Sequence, residues 1–220
     1  MNSPKVRLIT TQDGSSSLYL PSLDETYHST RGALGESIHV YIENGINTLT
    51  NTEIKLLEVG FGTGLNALLT YQFALKKQVN VSYHTLEPFP LAKEIYENLG
   101  YARAGDEQEI FEKMHAMTKG NQRLTPFFDF HRYHQSLENF SPDLTFDIIY
   151  FDAFAPSKQP DIWAKENLSK CLELLAPGGI MVTYCAQGQF KRDLATIGFQ
   201  VEVLPGGMGK KEMVRARRPA

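Results

Sequence analysis

Apolar and polar positions along this chain of 220 residues change period repeatedly. Five short runs rich in β-branched and aromatic residues read as strands: EIKLLEV (53–59), VSYHTLE (81–87), FFDFHRYH (127–134), FDIIYFD (146–152) and GIMVTYC (179–185). Between them the spacing shifts to helical. Leu65, Leu68, Leu69 and Phe73 share one face of a helix predicted over 65–77. Further helices are predicted over 91–100, where Gly100 ends the run, over 106–118, over 161–179, closed by Pro177 and two glycines, and over 188–198. SLENF (136–140) reads as a short helical turn. FQVEVL (199–204) and KEMVRARR (211–218) pair as a hairpin around PGGMG. Upstream, Leu34, Ile38, Tyr41 and Ile42 predict a helix over 34–47, TTQDGSSS (10–17) reads as a turn, and LYLPSLDETYHST reads mostly as loop.

Strands alternating with helices predict an α/β fold: a doubly wound, mostly parallel, seven-stranded Rossmann-like sheet with a C-terminal antiparallel hairpin. The almost unbroken apolar run of FDIIYF places that strand near the middle, buried on both faces. The length fits one domain, taken as 1–220 with an N-terminal extension over 1–50 and the Rossmann-like core over 51–220. Ligands in such sheets bind beyond the carboxyl ends of the strands, at the point where strand order reverses.

Composition narrows this little. The apolar fraction is 42% and the charged fraction 21%, ordinary for a soluble globular protein. No run of eighteen apolar residues is present, so no membrane span is expected, and the N-terminus lacks an apolar signal region. Cys171 and Cys185 form no CxxC pair, so no metal centre is expected, and a reducing cytoplasm fits them. The net charge of −3 argues against bulk nucleic-acid binding, but residues 151–220 carry ten Lys/Arg against seven Asp/Glu. The tail GKKEMVRARRPA is the most basic segment, either a solvated face or a local grip on phosphates.

Chemistry gathers at the strand ends. EVGFGTGLN (58–66) joins a strand to a helix, and Gly60, Gly62 and Gly64 let a ligand approach backbone N–H groups at the helix start. Gly62, Gly64 and Ala67 also fit the dinucleotide pattern GxGxxG/A. Glu58, two residues before the first glycine, suits a ligand bearing positive charge rather than a pyrophosphate. Glu87 lies 23 residues after Gly64, near the spacing of an acid that accepts from ribose hydroxyls. Two cofactors compete for this adenosine-type site, NAD(P) and S-adenosylmethionine; Glu58 and the whole EVGFGTGLN string, including Asn66, favour the second.

EVGFGTGLN, LEPFPL, FDAFAPSKQPDIW (151–163), GKKEMVRA and DGSSSLYLPSLDETYHS (13–29) together resemble the MnmD family of class I S-adenosylmethionine-dependent methyltransferases, also the N-terminal domain of bifunctional MnmC. The resemblance covers nearly the whole chain. It implies S-adenosyl-L-methionine as cofactor and methylation of the aminomethyl group of 5-aminomethyl-2-thiouridine at the tRNA wobble position. It also implies a stand-alone enzyme, with no flavin-dependent oxidase module in this chain. The third strand of such enzymes often ends in Gly-Asp, whose acid reads the adenine amine; here Gln135 takes that place.

Within this frame Asp152 is the expected catalytic residue and also touches cofactor: a carboxylate can hold the substrate amine, orient it and accept its proton. Phe154 and Tyr27 would line the base pocket, with His28, Glu36 and Tyr184 as further wall candidates. Lys158, Lys210, Lys211 and Arg215, with Arg217 and Arg218, would meet the backbone of the tRNA anticodon stem-loop. A spermidine-synthase-like aminopropyltransferase, an NAD-linked oxidoreductase and a non-catalytic S-adenosylmethionine- or RNA-binding protein remain as alternatives. EVGFGTGLN lacks the glycine–glycine–aspartate turn of the first.

Overall fold

The computed structural model describes residues 5–117 and 119–220; the first four residues, and Thr118 at the end of the helix predicted over 106–118, lie outside the described residues. The main sheet contains all seven predicted strands: β4 (Glu53–Val59), β5 (Asn80–Leu86), β7 (Phe128–Tyr133), β8 (Phe146–Phe151), β9 (Leu175–Thr183), β10 (Gln200–Pro205) and β11 (Glu212–Arg217). It adds an eighth, β6 (Gly120–Thr125), giving the order β10-β11-β9-β8-β4-β5-β7-β6. β6 is polar and mostly exposed, with no alternation to betray it. Antiparallel pairing to β7, with a register shift between Arg123 and Thr125, makes it a strand, and the bulge suits an unpaired edge.

The five inner strands are parallel, and β8 lies between β4 and β9 as its apolar run predicts. Alternation along the strands divides the core. Leu56, Ile148, Tyr150 and Val182 face one cluster, under helix α2 (Leu65–Lys77). Leu57, Val59, Ile149, Phe151 and Met181 face the other, against α5 (Lys165–Leu174) and α6 (Gly188–Ile197). From β4 the chain first winds outward through β5 and β7, then returns to β8 on the other side. The reversal opens a crevice at the carboxyl ends of β4 and β8, where Gly60 and Asp152 meet.

Several elements differ from expectation. The helix predicted over 161–179 is a 3-10 turn (Pro160–Trp163) followed by α5, and β9 starts at Leu175. Pro177 drives the residue before it toward extended backbone, and Gly178 turns with φ of 77°. The helix predicted over 91–100 shrinks to one turn, α3 (Lys93–Tyr96). A longer helix, α4 (Asp106–Ala116), follows, and the side chain of Arg132 on β7 donates to its last carbonyls, those of Met114 and His115, at 2.9 and 2.6 Å.

The N-terminal region is not mostly loop. β1 (Arg7–Thr10), β2 (Ser16–Leu20) and β3 (Glu25–Thr26) form a separate antiparallel sheet. Ser17 and Leu18 are fully buried, so β2 is held by packing that its local pattern does not announce. The helix expected over 34–47 is α1 (Ala33–Ser37), running into a π-helical turn (Ile38–Glu43) and then a 3-10 turn (Ile46–Thr48). The π turn points Tyr41 into the core against Tyr150, at 5.0 Å between ring centroids.

Candidate active site

A cavity of about 990 Å³ opens at the carboxyl ends of the parallel strands. Its floor includes Gly60, Gly62, Asn66, Glu87 and Asp152, and its roof is the N-terminal sheet with the segment up to Thr30. The roof is pinned to the loop after β8. Lys158 Nζ donates to the Asp24 carbonyl at 2.9 Å, and Tyr27 meets Phe154 edge-on with centroids 5.0 Å apart. Trp163 Nε1 donates to the Phe154 carbonyl at 2.8 Å, which holds that loop from below.

The glycine turn is shaped by contact. Gly60 has φ of 95°, and a Cβ there would lie 2.5 Å from the Asp152 carbonyl oxygen. Its neighbours leave room only for a backbone. A Cβ on Gly62 would meet only the ring of Tyr27, at 3.2 Å, so this glycine faces the cavity. Gly64 starts α2 in the left-handed region, and a Cβ there would press on His115 and Phe61. It packs against those rings at the start of α2, and its neighbours Thr63 and Leu65, not Gly64, line the cavity.

Glu87 stands at the end of β5 with both oxygens occupied: Gly62 N–H donates at 2.8 Å and Phe89 N–H at 2.7 Å. The acid therefore ties the strand end to the glycine turn while its face borders the cavity. Gln135, after β7, lines the same side, next to Ser136 and Leu137. Phe89 is 51% exposed at the mouth and was not anticipated from the sequence.

Asp152 ends β8 at the crevice. Asn66 Nδ2 donates to its Oδ2 at 2.7 Å, so the first turn of α2 positions the acid. Burial pushes its carboxyl up to about 6, although Tyr41 and Asn66 beside it pull the other way. It therefore changes charge near neutrality, as a proton acceptor for an amine requires.

Glu58 departs from expectation. It is fully buried and absent from the cavity wall. Period-two alternation puts it on the Leu56 side of β4, beneath the cavity, where Thr85 Oγ1 donates to it at 2.7 Å. Burial raises its carboxyl to about 8. Because this exceeds the unfolded value of 4.5, the unfolded chain ionises first, and stability is lost as pH rises from 4.5 through 8. Glu58→Gln is accordingly expected to melt above the wild type by a margin that grows over that interval and then levels. Thermal melts at a series of pH values check this, and a margin independent of pH would refute a protonated Glu58.

The basic residues also separate. Lys210 reaches the cavity. Lys158 latches the roof and is not on the wall. Arg215 pairs with Glu202 at 2.8 Å and donates to the Asn44 carbonyl, away from the cavity. Arg217 and Arg218 donate to carbonyls around the start of β9, so they anchor the tail rather than form a free patch. Among the described residues Lys211 makes no side-chain hydrogen bond or ion pair and is exposed outside the cavity.

His28, Glu36 and Tyr184 do line the cavity. Burial lowers His28 to about 4, so it is neutral near neutrality, with Ser17 and Thr63 hydroxyls beside its ring nitrogens at 3.2 and 3.4 Å. Tyr41, whose sequence setting reads as plain core, approaches Asp152 because of the π turn. No local signal distinguishes it from its helical neighbours.

Residues 120–219 match a family model described as S-adenosyl-L-methionine-dependent methyltransferase. The bifunctional protein MnmC of tRNA 5-methylaminomethyl-2-thiouridine biosynthesis from Cupriavidus necator is 31% identical over 219 residues, covering 90% of this chain and 32% of that protein. The same-named protein of Campylobacter hominis is 29% identical, with 90% and 31% covered. The chain thus spans about a third of the length of the curated relatives it matches. Among solved structures, MNMC2 from Aquifex aeolicus superposes with a TM-score of 0.76 at 20% identity, over 99% of this chain and 71% of that one. That likeness shows the fold. No helix of the described residues is long and apolar enough to cross a membrane.

Proposed function

We propose that this chain, which belongs to the S-adenosyl-L-methionine-dependent methyltransferase family, methylates the primary amine of 5-aminomethyl-2-thiouridine at the wobble position of tRNA, giving 5-methylaminomethyl-2-thiouridine. The observation that carries this reading is Asp152. It is a half-buried residue whose carboxyl titrates at about 6, held by Asn66 at the switch point, between a glycine turn and an aromatic wall. The described part of residues 1–220 is read as one methyltransferase unit, with the N-terminal extension as its roof, working in the cytoplasm.

The residues present fit the cofactor. Gly60 and Gly62 both have positive φ beside Glu87, leaving a backbone cradle that a Cβ at Gly60 would fill. Asn66 Oδ1 is buried without a partner among the described residues. The cavity volume is at the upper end for ligand pockets, leaving room for a nucleoside base as well. S-adenosylmethionine supplies a methyl group activated on sulfur. Glu87 would take the ribose hydroxyls on the lone pairs left by the Gly62 and Phe89 N–H groups, the turn would present backbone to the amino acid end, and Gln135 would offer an amide toward the adenine.

Asp152 receives the substrate's ammonium and accepts one proton from it. S-adenosylmethionine bound there would supply its methyl group to the freed nitrogen lone pair, the carbon–sulfur electron pair staying with sulfur. Tyr27 and Phe154 would hold the uracil ring and so orient the amine, and orientation supplies much of the rate. Lys211 is left for tRNA phosphates. The test is transfer of labelled methyl from S-adenosylmethionine to tRNA lacking this modification, with nucleoside analysis. Label in 5-methylaminomethyl-2-thiouridine is expected. No label in tRNA, with turnover of decarboxylated cofactor and putrescine, would move the assignment to aminopropyl transfer.

A further inference from the structure

The hairpin between β10 and β11 brings one charged group to the cavity from far along the chain. At its tip Met208, with φ of 51°, packs against Gly32 and Gly35, where any Cβ would lie 2.5 Å from its side chain. That docking delivers Lys210 to Glu36 on α1. Its ammonium pairs with the Glu36 carboxylate and sits over the ring of Tyr184, 3.9 Å from the centroid. Glu36 is nearly inaccessible, and its other oxygen accepts from Ser29 N–H at 2.9 Å. The hairpin does not need this pair to dock, since Met208 fills the glycine pocket and His39 Nε2 donates to the Pro205 carbonyl at 2.9 Å.

We propose that Lys210, held by Glu36, offsets that carboxylate beside the incoming primary amine and so loosens the amine's hold on its proton, favouring the neutral, nucleophilic form. The inference rests on the methyltransfer reading above and assigns the residue that sets the substrate's charge.

The argument is electrostatic. An alkyl amine has a reference pKa of about 10.4, so roughly one molecule in a thousand or fewer is neutral near pH 7. A site built only from Asp152 and Glu36 would face the amine with two carboxylates and hold it as an unreactive ammonium. Around Lys210 burial lowers His28 and raises Tyr41, Tyr184 and Cys185, so these are uncharged near neutrality, while the acidic side chains of Asp24, Glu25 and Glu87 also line the cavity. Lys210 therefore offsets the charge of Glu36 and is the one Lys or Arg lining the cavity among the described residues. A like charge nearby favours loss of the amine's proton, which passes to Asp152 and on to water.

The test uses the full chain and an anticodon stem-loop bearing 5-aminomethyl-2-thiouridine. The pH dependence of kcat is measured, with that of stem-loop affinity in the presence of S-adenosylhomocysteine as a second readout; because Glu36 raises and Lys210 lowers the Asp152 carboxyl, the affinity series is repeated in an Asp152→Asn background, where the amine titrates without it. Lys210→Met is expected to move both midpoints upward by about one pH unit, with kcat near neutrality falling about tenfold and recovering at high pH. Lys210→Arg keeps the wild-type midpoint. Glu36→Gln, which leaves the cation in place, moves it downward, and the double variant E36Q/K210M returns it toward wild type. Opposite shifts separate a charge effect from misfolding. A uniform loss of kcat with unmoved midpoints would make the pair a structural clamp and overturn the proposal. Absence of methyl transfer by the wild type would overturn the functional reading together with it.

Discussion

Asp152→Asn is expected to lower kcat for tRNA methylation by about 10²–10⁴-fold, the range for loss of a positioned proton acceptor. The amide keeps the volume of the side chain and can still accept from Asn66 Nδ2, so the floor of the cavity is preserved. S-adenosylhomocysteine affinity should stay close to wild type. Stability should not fall. The folded carboxyl titrates at about 6, above its ordinary 3.8, so the stability linked to its proton is lost as pH rises through 6. Above that pH the wild type carries a half-buried charge which the variant lacks, and the variant should melt at the same temperature or higher. A more stable, inactive protein that still binds cofactor is the signature of a site held for function. Wild-type activity should also decline as pH drops through 6, and this acid limb should vanish from any residual activity of the variant. Retained turnover in Asp152→Asn would remove the acid from the mechanism.

Gly60→Ala is expected to damage both fold and site. The residue has φ of 95°, and its Cβ would lie 2.5 Å from the Asp152 carbonyl, which belongs to backbone and cannot rotate away. A strained backbone position costs about 1–3 kcal/mol. For a chain of this size each kcal/mol lowers the melting temperature by about 2–4 °C. Relief requires β4 and β8 to part where the cofactor would sit, so S-adenosylhomocysteine binding should be lost as well. Gly100→Ala is the control: its φ of 66° carries similar strain, but a Cβ there meets nothing within 4 Å. It should cost stability alone. Equal effects of the two substitutions on cofactor affinity would show that the contact between Gly60 and Asp152 does not shape the site.

Much of this architecture is legible before folding. Hydrophobic period locates the main strands, and FDIIYF is apolar almost throughout because β8 is buried on both faces. Alternating strand and helix then dictates a parallel sheet with a crevice at its reversal. Gly60, Glu87 and Asp152 follow from their places at strand ends, and all three border the cavity. The burial of Glu58 is readable as well, since alternation puts it on the Leu56 face of β4.

Other features arise only in three dimensions. β2 is a strand because Arg7 to Thr10 lies against it in antiparallel register, and no local period in SSLYL requires a partner. β6 is polar and owes its form to pairing with β7. The charge of the pocket wall depends on Glu36 and Lys210, 174 residues apart, meeting through a methionine lodged on two glycines. Periodicity reports which residues leave water, because burial acts on each element through its own repeat. It is silent on which distant polar side chains face one another. Desolvation and charge pairing depend on distance in space, and so the proton affinities of Asp152 and Glu58, and the pairing of Lys210, were decided by the tertiary structure.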